Sequence, residues 1–243
     1  MKDILQDLIN HTSNLGFIDL IKVIGTDTET QVSALSDDKN VIFNGVLKTP
    51  QPELIGTFGM PNLSKLKTIL SFDDYDEDAK ITMTRKNRDG VDTPDSIHFE
   101  TKAGDFVNDY RLMAKGIVEE KVKVVKYHGT SWNVEFTPSV NSILRLKKQS
   151  QANSDEKHFM TKVENGDLKI FFGDVSTHSG NFVFEANVNG TLGKALSWPV
   201  QEVVSILSLA GDKTMRILDK GAMEISIDSG LAVYSYLFPA QQK

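Results

Sequence analysis

Four short helical patterns interrupt a sequence that otherwise alternates between apolar and polar residues, and their spacing constrains the fold more than any single motif. They cover residues 3 to 14, 61 to 71, 138 to 150 and 199 to 210. In the second, Leu63, Leu66, Ile69 and Leu70 recur at the three-and-four spacing that places them on one helix face. A shift of 137 residues lays them over Val200, Val203, Ile206 and Leu207 of the fourth, and a shift of 135 lays Leu5, Leu8 and Ile9 over Val140, Ile143 and Leu144. Two nearly equal shifts predict an internal duplication. Pro61 and Pro199 begin the second and fourth patterns, and Thr137-Pro138 puts a capping residue and a first-turn proline at the start of the third.

The rest of the chain reads as half-buried strands of period two: residues 17 to 25, 30 to 36, 40 to 47, 80 to 85 and 96 to 102, then 158 to 163, 168 to 173, 181 to 188, 214 to 218, 222 to 227 and 232 to 238. Turn chemistry separates them, with Asp37-Asp38-Lys39-Asn40, Asn87-Arg88-Asp89-Gly90 and Ala103-Gly104-Asp105 in the first half and Asn165-Gly166 in the second. The fold class that follows is α+β, with two similar domains of two helices each on antiparallel sheets. At 243 residues each half is long enough to bury a core of its own. The boundaries fall at 1–114 and 130–243, and the connector 115–129 is apolar enough to lie along a surface as an extended strand.

Composition narrows the function classes. No cysteine is present, which removes disulfides, thiolate metal sites and cysteine nucleophiles. Asp3 and Asp7 break the first apolar pattern, so it is not a signal peptide, and no apolar run reaches the 18 residues of a membrane span. A soluble protein without membrane partners is expected. His11, His98, His128, His158 and His178 are scattered without metal-ligand spacing. The acidic run Asp73 to Asp78 has Ala79 where a calcium loop needs glycine and Arg85 where it needs glutamate. Gly190-Thr191-Leu192-Gly193-Lys194-Ala195 has two residues between its glycines where a phosphate loop has four. No nucleophile elbow occurs. The residues therefore make an enzyme the weaker class and point to no catalytic residue, metal or cofactor.

Charge is segregated. The chain carries −6 overall, which disfavours a surface that attracts nucleic acid everywhere. Yet the helical segments taken with their flanks, residues 1 to 15, 61 to 72, 137 to 149 and 197 to 210, hold Lys2, Lys65, Lys67, Arg145, Lys147 and Lys148 against only Asp3, Asp7 and Glu202, a net +3, which leaves −9 on the remainder. Lys65 and Arg145 lie away from the apolar stripes of their helices and can point into whatever the helices face.

Two duplicated helix-and-meander domains with basic helices, acidic sheets and a connector resemble the DNA polymerase sliding clamps. Phe58 to Phe72 is similar to the second helix of a clamp's first domain, and Ala222 to Ala240 to the last strands and aromatic-proline ending of a two-domain clamp. The length resembles the PCNA-like trimeric clamps, and among them the T4-like phage type, because the chain starts almost directly in its first helix. Asn133-Val134-Glu135-Phe136 supplies a leading strand in the second half only.

The resemblance implies a homotrimeric ring, a processivity factor that encircles double-stranded DNA without reading sequence, at replication forks inside the cell. Lys65, Lys67, Arg145, Lys147 and Lys148 would then face DNA. A DNA polymerase and a clamp loader would dock short peptide tails in a pocket between the domains. Its candidate residues are Val118, Val122, Val124 and Val125 of the connector with Leu237, Phe238 and Pro239 of the ending. Two other classes fit the residues alone. One is a β-rich virion or tail component without DNA tethering, and the other a small-molecule enzyme or binder whose site is assembled from distant residues.

Overall fold

The computed structural model describes residues 1–88, 90–123, 131–173 and 178–241; Val124 and Val125, two of the expected pocket residues, and His128 lie outside them. The chain forms two compact units. The first comprises Met1–Val125 with Ser229–Tyr234, and the second Lys126–Asp228 with Ser235–Lys243.

The first unit opens with α1 (Lys2–Asn10), followed by a 3-10 turn at Ser13–Leu15 that Gly16 closes at φ 85°. The expected helix of residues 3 to 14 is thus shorter, because the Thr12 hydroxyl folds back onto the Leu8 carbonyl and a glycine allows the left-handed exit. β1 (Leu20–Gly25), β2 (Thr30–Leu35), β3 (Ile42–Leu47) and β4 (Gly56–Pro61) form an antiparallel sheet in the order β4-β1-β2-β3. α2 (Leu63–Leu70) follows, then the three-stranded sheet β5 (Lys80–Arg88), β6 (Val91–Glu100) and β7 (Val107–Arg111). α1 packs on α2, and Leu5, Ile9, Leu63 and Leu66 are fully buried. Each such side chain contributes about 1.5–3 kcal/mol by leaving water.

Residues Lys115–Lys121 form a helix, α3, where an extended strand is expected. Val118 and Val122, four apart, share one face and are 0% and 3% exposed, while Ile117 is 52% exposed, so helical spacing prevails over the apparent alternation. Gly59 of β4 makes room for it, because a Cβ there would lie 2.8 Å from Val118 Cγ2. The Lys22 ammonium, buried beneath, donates to the Val122 carbonyl at 3.1 Å.

The second unit holds β8 (Val134–Phe136), α4 (Val140–Ala152), β9 (His158–Glu164), β10 (Asp167–Phe172), β11 (Gly180–Glu185), β12 (Leu196–Pro199), α5 (Val200–Leu207), β13 (Asp212–Leu218) and β14 (Ala222–Asp228). β15 (Ala232–Pro239) ends the fold, its first three residues counted with the first unit. One sheet runs β11-β10-β9-β12, and in the other β13 pairs with both β14 and β8. Asn165 and Gly166, both at positive φ, make the β9–β10 hairpin turn. Trp198 is fully buried and donates to the Thr161 hydroxyl at 2.8 Å.

Three details of the helices differ from expectation. Pro61 and Pro199 finish β4 and β12, which are sheet edges that tolerate a missing N–H; Pro199 is also the N-cap of α5, whereas Asn62 takes that place for α2. The third helix is capped by Ser139, whose hydroxyl accepts from the Ser142 amide at 3.1 Å, two residues beyond the expected Thr137 cap. The shift of 135 fails: Val140 and Leu144 are 74% and 47% exposed, and α4 turns Ser142 and Leu146 inward. The shift of 137 holds, with all eight matched residues of α2 and α5 buried. Among the described residues no helix is long and apolar enough to cross a membrane, and no group of acidic or histidine side chains could hold a metal.

Candidate nucleic-acid interface and docking groove

The outward face of α2 exists because Leu63, Leu66, Ile69 and Leu70 occupy the inward one, which leaves Ser64, Lys65, Lys67 and Thr68 exposed. On α4 the buried Ser142 and Leu146 leave Arg145 and Lys148, three apart and therefore neighbours, in solvent. Lys147 is half-buried. None of these five cations makes an ion pair among the described residues.

The cations of the sheets are used differently. Arg216 bridges Glu135 and Glu224, each at 3.0 Å, and these partners hold its guanidinium above its ordinary pKa. Lys162 and Lys169 share Glu164, and Lys86 and Arg111 share Asp95. These sheet cations are thus paired locally with carboxylates, while the charge of α2 and α4 is free to act on a solvent-borne anion.

Neither α1 nor α5 adds to this positive face. Lys2 of α1 donates to the Tyr75 carbonyl, and α1 exposes Asp3 and Gln6. α5 has no basic residue. One basic residue escaped the helix census: Lys213, the second residue of β13, lies near Lys147. Burial pulls its ammonium pKa down, Asp212 opposes that, and the like charge of Lys147 lowers it further. Its Nζ donates to the Gly211 carbonyl at 2.9 Å. The turn Gly211-Asp212-Lys213 directly after α5 was the available signal.

The expected peptide-pocket residues are placed inside. Val118 and Val122 are buried in the first unit, and Leu237 and Phe238 are buried in the second at 8% and 0% exposure. Of the expected pocket residues that are described, Pro239 is the exposed one. The second unit instead has a concavity of about 480 Å³ immediately beyond it, walled by Leu196, Ser197, Gly221 and Ala240, with Lys194 and Lys220 exposed at its edge. Backbone hydrogen bonds of 2.9 Å from Ala240 to Gly221 and from Gln241 to Ser197 fix the chain ending along this groove.

The arrangement holds no catalytic constellation among the described residues; what it offers is an unpaired cationic helix face in each unit and an open groove beside the chain ending. No protein-family profile and no curated protein matches the sequence. Solved structures do match in fold. PCNA from Thermococcus kodakaraensis superimposes with a TM-score of 0.70 at 11% identity, covering 99% of this chain and 97% of that one. A. fulgidus PCNA, solved with the C-terminal region of FEN-1 bound, gives 0.69 at 9% identity over 100% and 96%. The proliferating cellular nuclear antigen of Entamoeba histolytica gives 0.66 at 13% identity over 99% and 94%. The chain has the fold of these PCNA clamps over nearly its whole length.

Proposed function

We propose that this protein is a DNA sliding clamp: three copies close head to tail around duplex DNA and tether a polymerase and other partners to it without catalysing a reaction. The observation that carries this reading is the division of charge. Cations stand unpaired on the outward faces of α2 and α4, while the sheet cations are neutralised by neighbouring carboxylates. Lys65, Lys67, Arg145, Lys147 and Lys148, joined by Lys213, would touch phosphates through solvent, which positions duplex DNA without reading its sequence.

Ring closure has a structural counterpart in the sheet edges. Among the described residues β7 pairs only with β6, and β11 only with β10. Exposed edges invite pairing, and antiparallel addition of β7 from one copy to β11 of the next satisfies both while repeating around a closed ring. Phe106 and Val107, 37% and 46% exposed, give that edge apolar surface to bury.

Partner tails from a polymerase and a clamp loader would seat in the groove beyond Pro239, in keeping with the bound FEN-1 region in the A. fulgidus structure. The polar walls and the two lysines at its edge suit a peptide that brings hydrogen-bonding and acidic groups. Clamp action places the protein at replication sites inside the cell. Light scattering across a concentration series tests the assembly: a trimer has about 81 kDa, three times 27.0 kDa. A monomer at every concentration contradicts it.

A further inference from the structure

We propose that the free edge of β5 is a docking site for an extended segment of a partner protein, one in which two apolar residues flank a lysine or arginine. The inference comes from comparing the two units. β5 and β13 hold corresponding places: each follows the second helix of its unit and forms a hairpin with the next strand. In the second unit the other edge of β13 carries β8, with Phe136 opposite Met215 and Val134 opposite Ile217. Beneath that cover Met215 and Ile217 are 3% and 0% exposed.

No strand plays that part beside β5 among the described residues, where its single ladder runs to β6. Ile81 and Met83 are accordingly only half-buried, and they line an open groove of about 540 Å³ together with Ile55 and Arg85. An unpaired strand edge beside an apolar groove is the geometry that accepts an added strand: its backbone supplies hydrogen bonds and alternate side chains fill the groove.

The charge of the occupant follows from the rim. In β8 the residue between the apolar pair is Glu135, which meets Arg216. At β5 the residue between Ile81 and Met83 is the uncharged Thr82, and the nearby cation Arg85 is already satisfied, because it pairs with Asp92 and donates to the Ile55 carbonyl at 3.0 Å. The charge left over is Glu53, exposed on the rim and without an ion pair among the described residues. The complementary segment is therefore apolar–basic–apolar. This surface does not depend on the clamp reading.

A blocked peptide of residues Trp132 to Pro138 carrying Glu135→Lys is the probe. On titration into the full chain, saturable shifts of amide resonances confined to β5 and to residues 52–56 are expected. Substituting Val134→Ser and Phe136→Ser in the peptide should abolish them, and Glu53→Lys in the protein should weaken binding about two- to fivefold, the worth of one surface ion pair. Three results overturn the proposal: no shift at β5, unchanged binding by the serine peptide or by Glu53→Lys, or concentration-dependent β5 shifts without peptide, which would mean that a second copy covers the edge.

Discussion

The Tyr234 hydroxyl donates to the Asp7 carboxylate at 2.7 Å, joining residues 227 positions apart in sequence. The same carboxylate oxygen accepts from the Ser229 hydroxyl at 2.8 Å, and the His11 ring stacks on Tyr234 with centroids 4.2 Å apart. A single acidic side chain of α1 thereby ties the segment Ser229–Tyr234 to the first unit.

Burial pushes the Asp7 carboxyl up, but hydrogen bonds from His11, Tyr234 and Ser229 outweigh it and hold its pKa below the ordinary value. A carboxylate with a depressed folded pKa adds stability that is present above its unfolded pKa and lost as the pH falls through the folded one. Asp7→Asn is expected to cost about 1–3 kcal/mol at pH 7, and Tyr234→Phe about 1 kcal/mol. As the pH falls below about 4, toward the lower pKa of the folded state, the gap between Asp7→Asn and the parent should narrow progressively. Chemical denaturation over this pH range checks this.

Lys65→Glu and Arg145→Glu should weaken DNA association and shrink its salt dependence by about one counterion per neutralised phosphate contact. Lys102→Glu, which removes a cation paired with Asp78 at 2.8 Å, should leave both unchanged. Fluorescence anisotropy on a random-sequence duplex over a salt series separates the two groups.

Val107→Asp places a charge on the edge of β7. The expected result is a trimer at least about tenfold more prone to dissociate, while the folded protomer changes by no more than about 0.5 kcal/mol, as is usual for an exposed position. Light scattering and thermal melting of the same sample read the two effects apart.

Gly59→Ala adds a Cβ 2.8 Å from Val118 Cγ2 and 3.0 Å from Met113 Cβ. It should cost about 1–3 kcal/mol by overpacking and loosen α3 from β4. Faster amide exchange over residues 115–121, with exchange in the second unit unchanged, is the signature.

How far the sequence reveals this structure depends on which residues carry the burial. α2 and α5 are legible because four apolar residues in each sit at helical spacing, with only Val204 of α5 falling beside the stripe. α4 is legible as a helix but not in phase: its inward face includes Ser142 and the buried Asn153, while Val140 and Leu144 stand in solvent. The short strands β4, β7 and β12 escaped because Gly59, the polar run Asn108-Asp109 and the four-residue Leu196–Pro199 give little alternation.

The basic positions were legible as residue types, whereas their lack of partners is a property of three-dimensional placement. Lys213 required the turn after α5 to bring it near Lys147. Leu237 and Phe238 could not be distinguished from pocket residues by pattern, since consecutive apolar residues at a strand end serve either a groove or a core covered on both faces.

Topology is the most direct test of encirclement. Protein assembled on nicked circular plasmid is passed through gel filtration at about 0.5 M salt, where direct phosphate contacts fall away, and the plasmid is then cut once. A ring threaded by DNA co-elutes with the circle and is released by the cut. Equal retention on circular and linear plasmid, or none on either, would contradict encirclement.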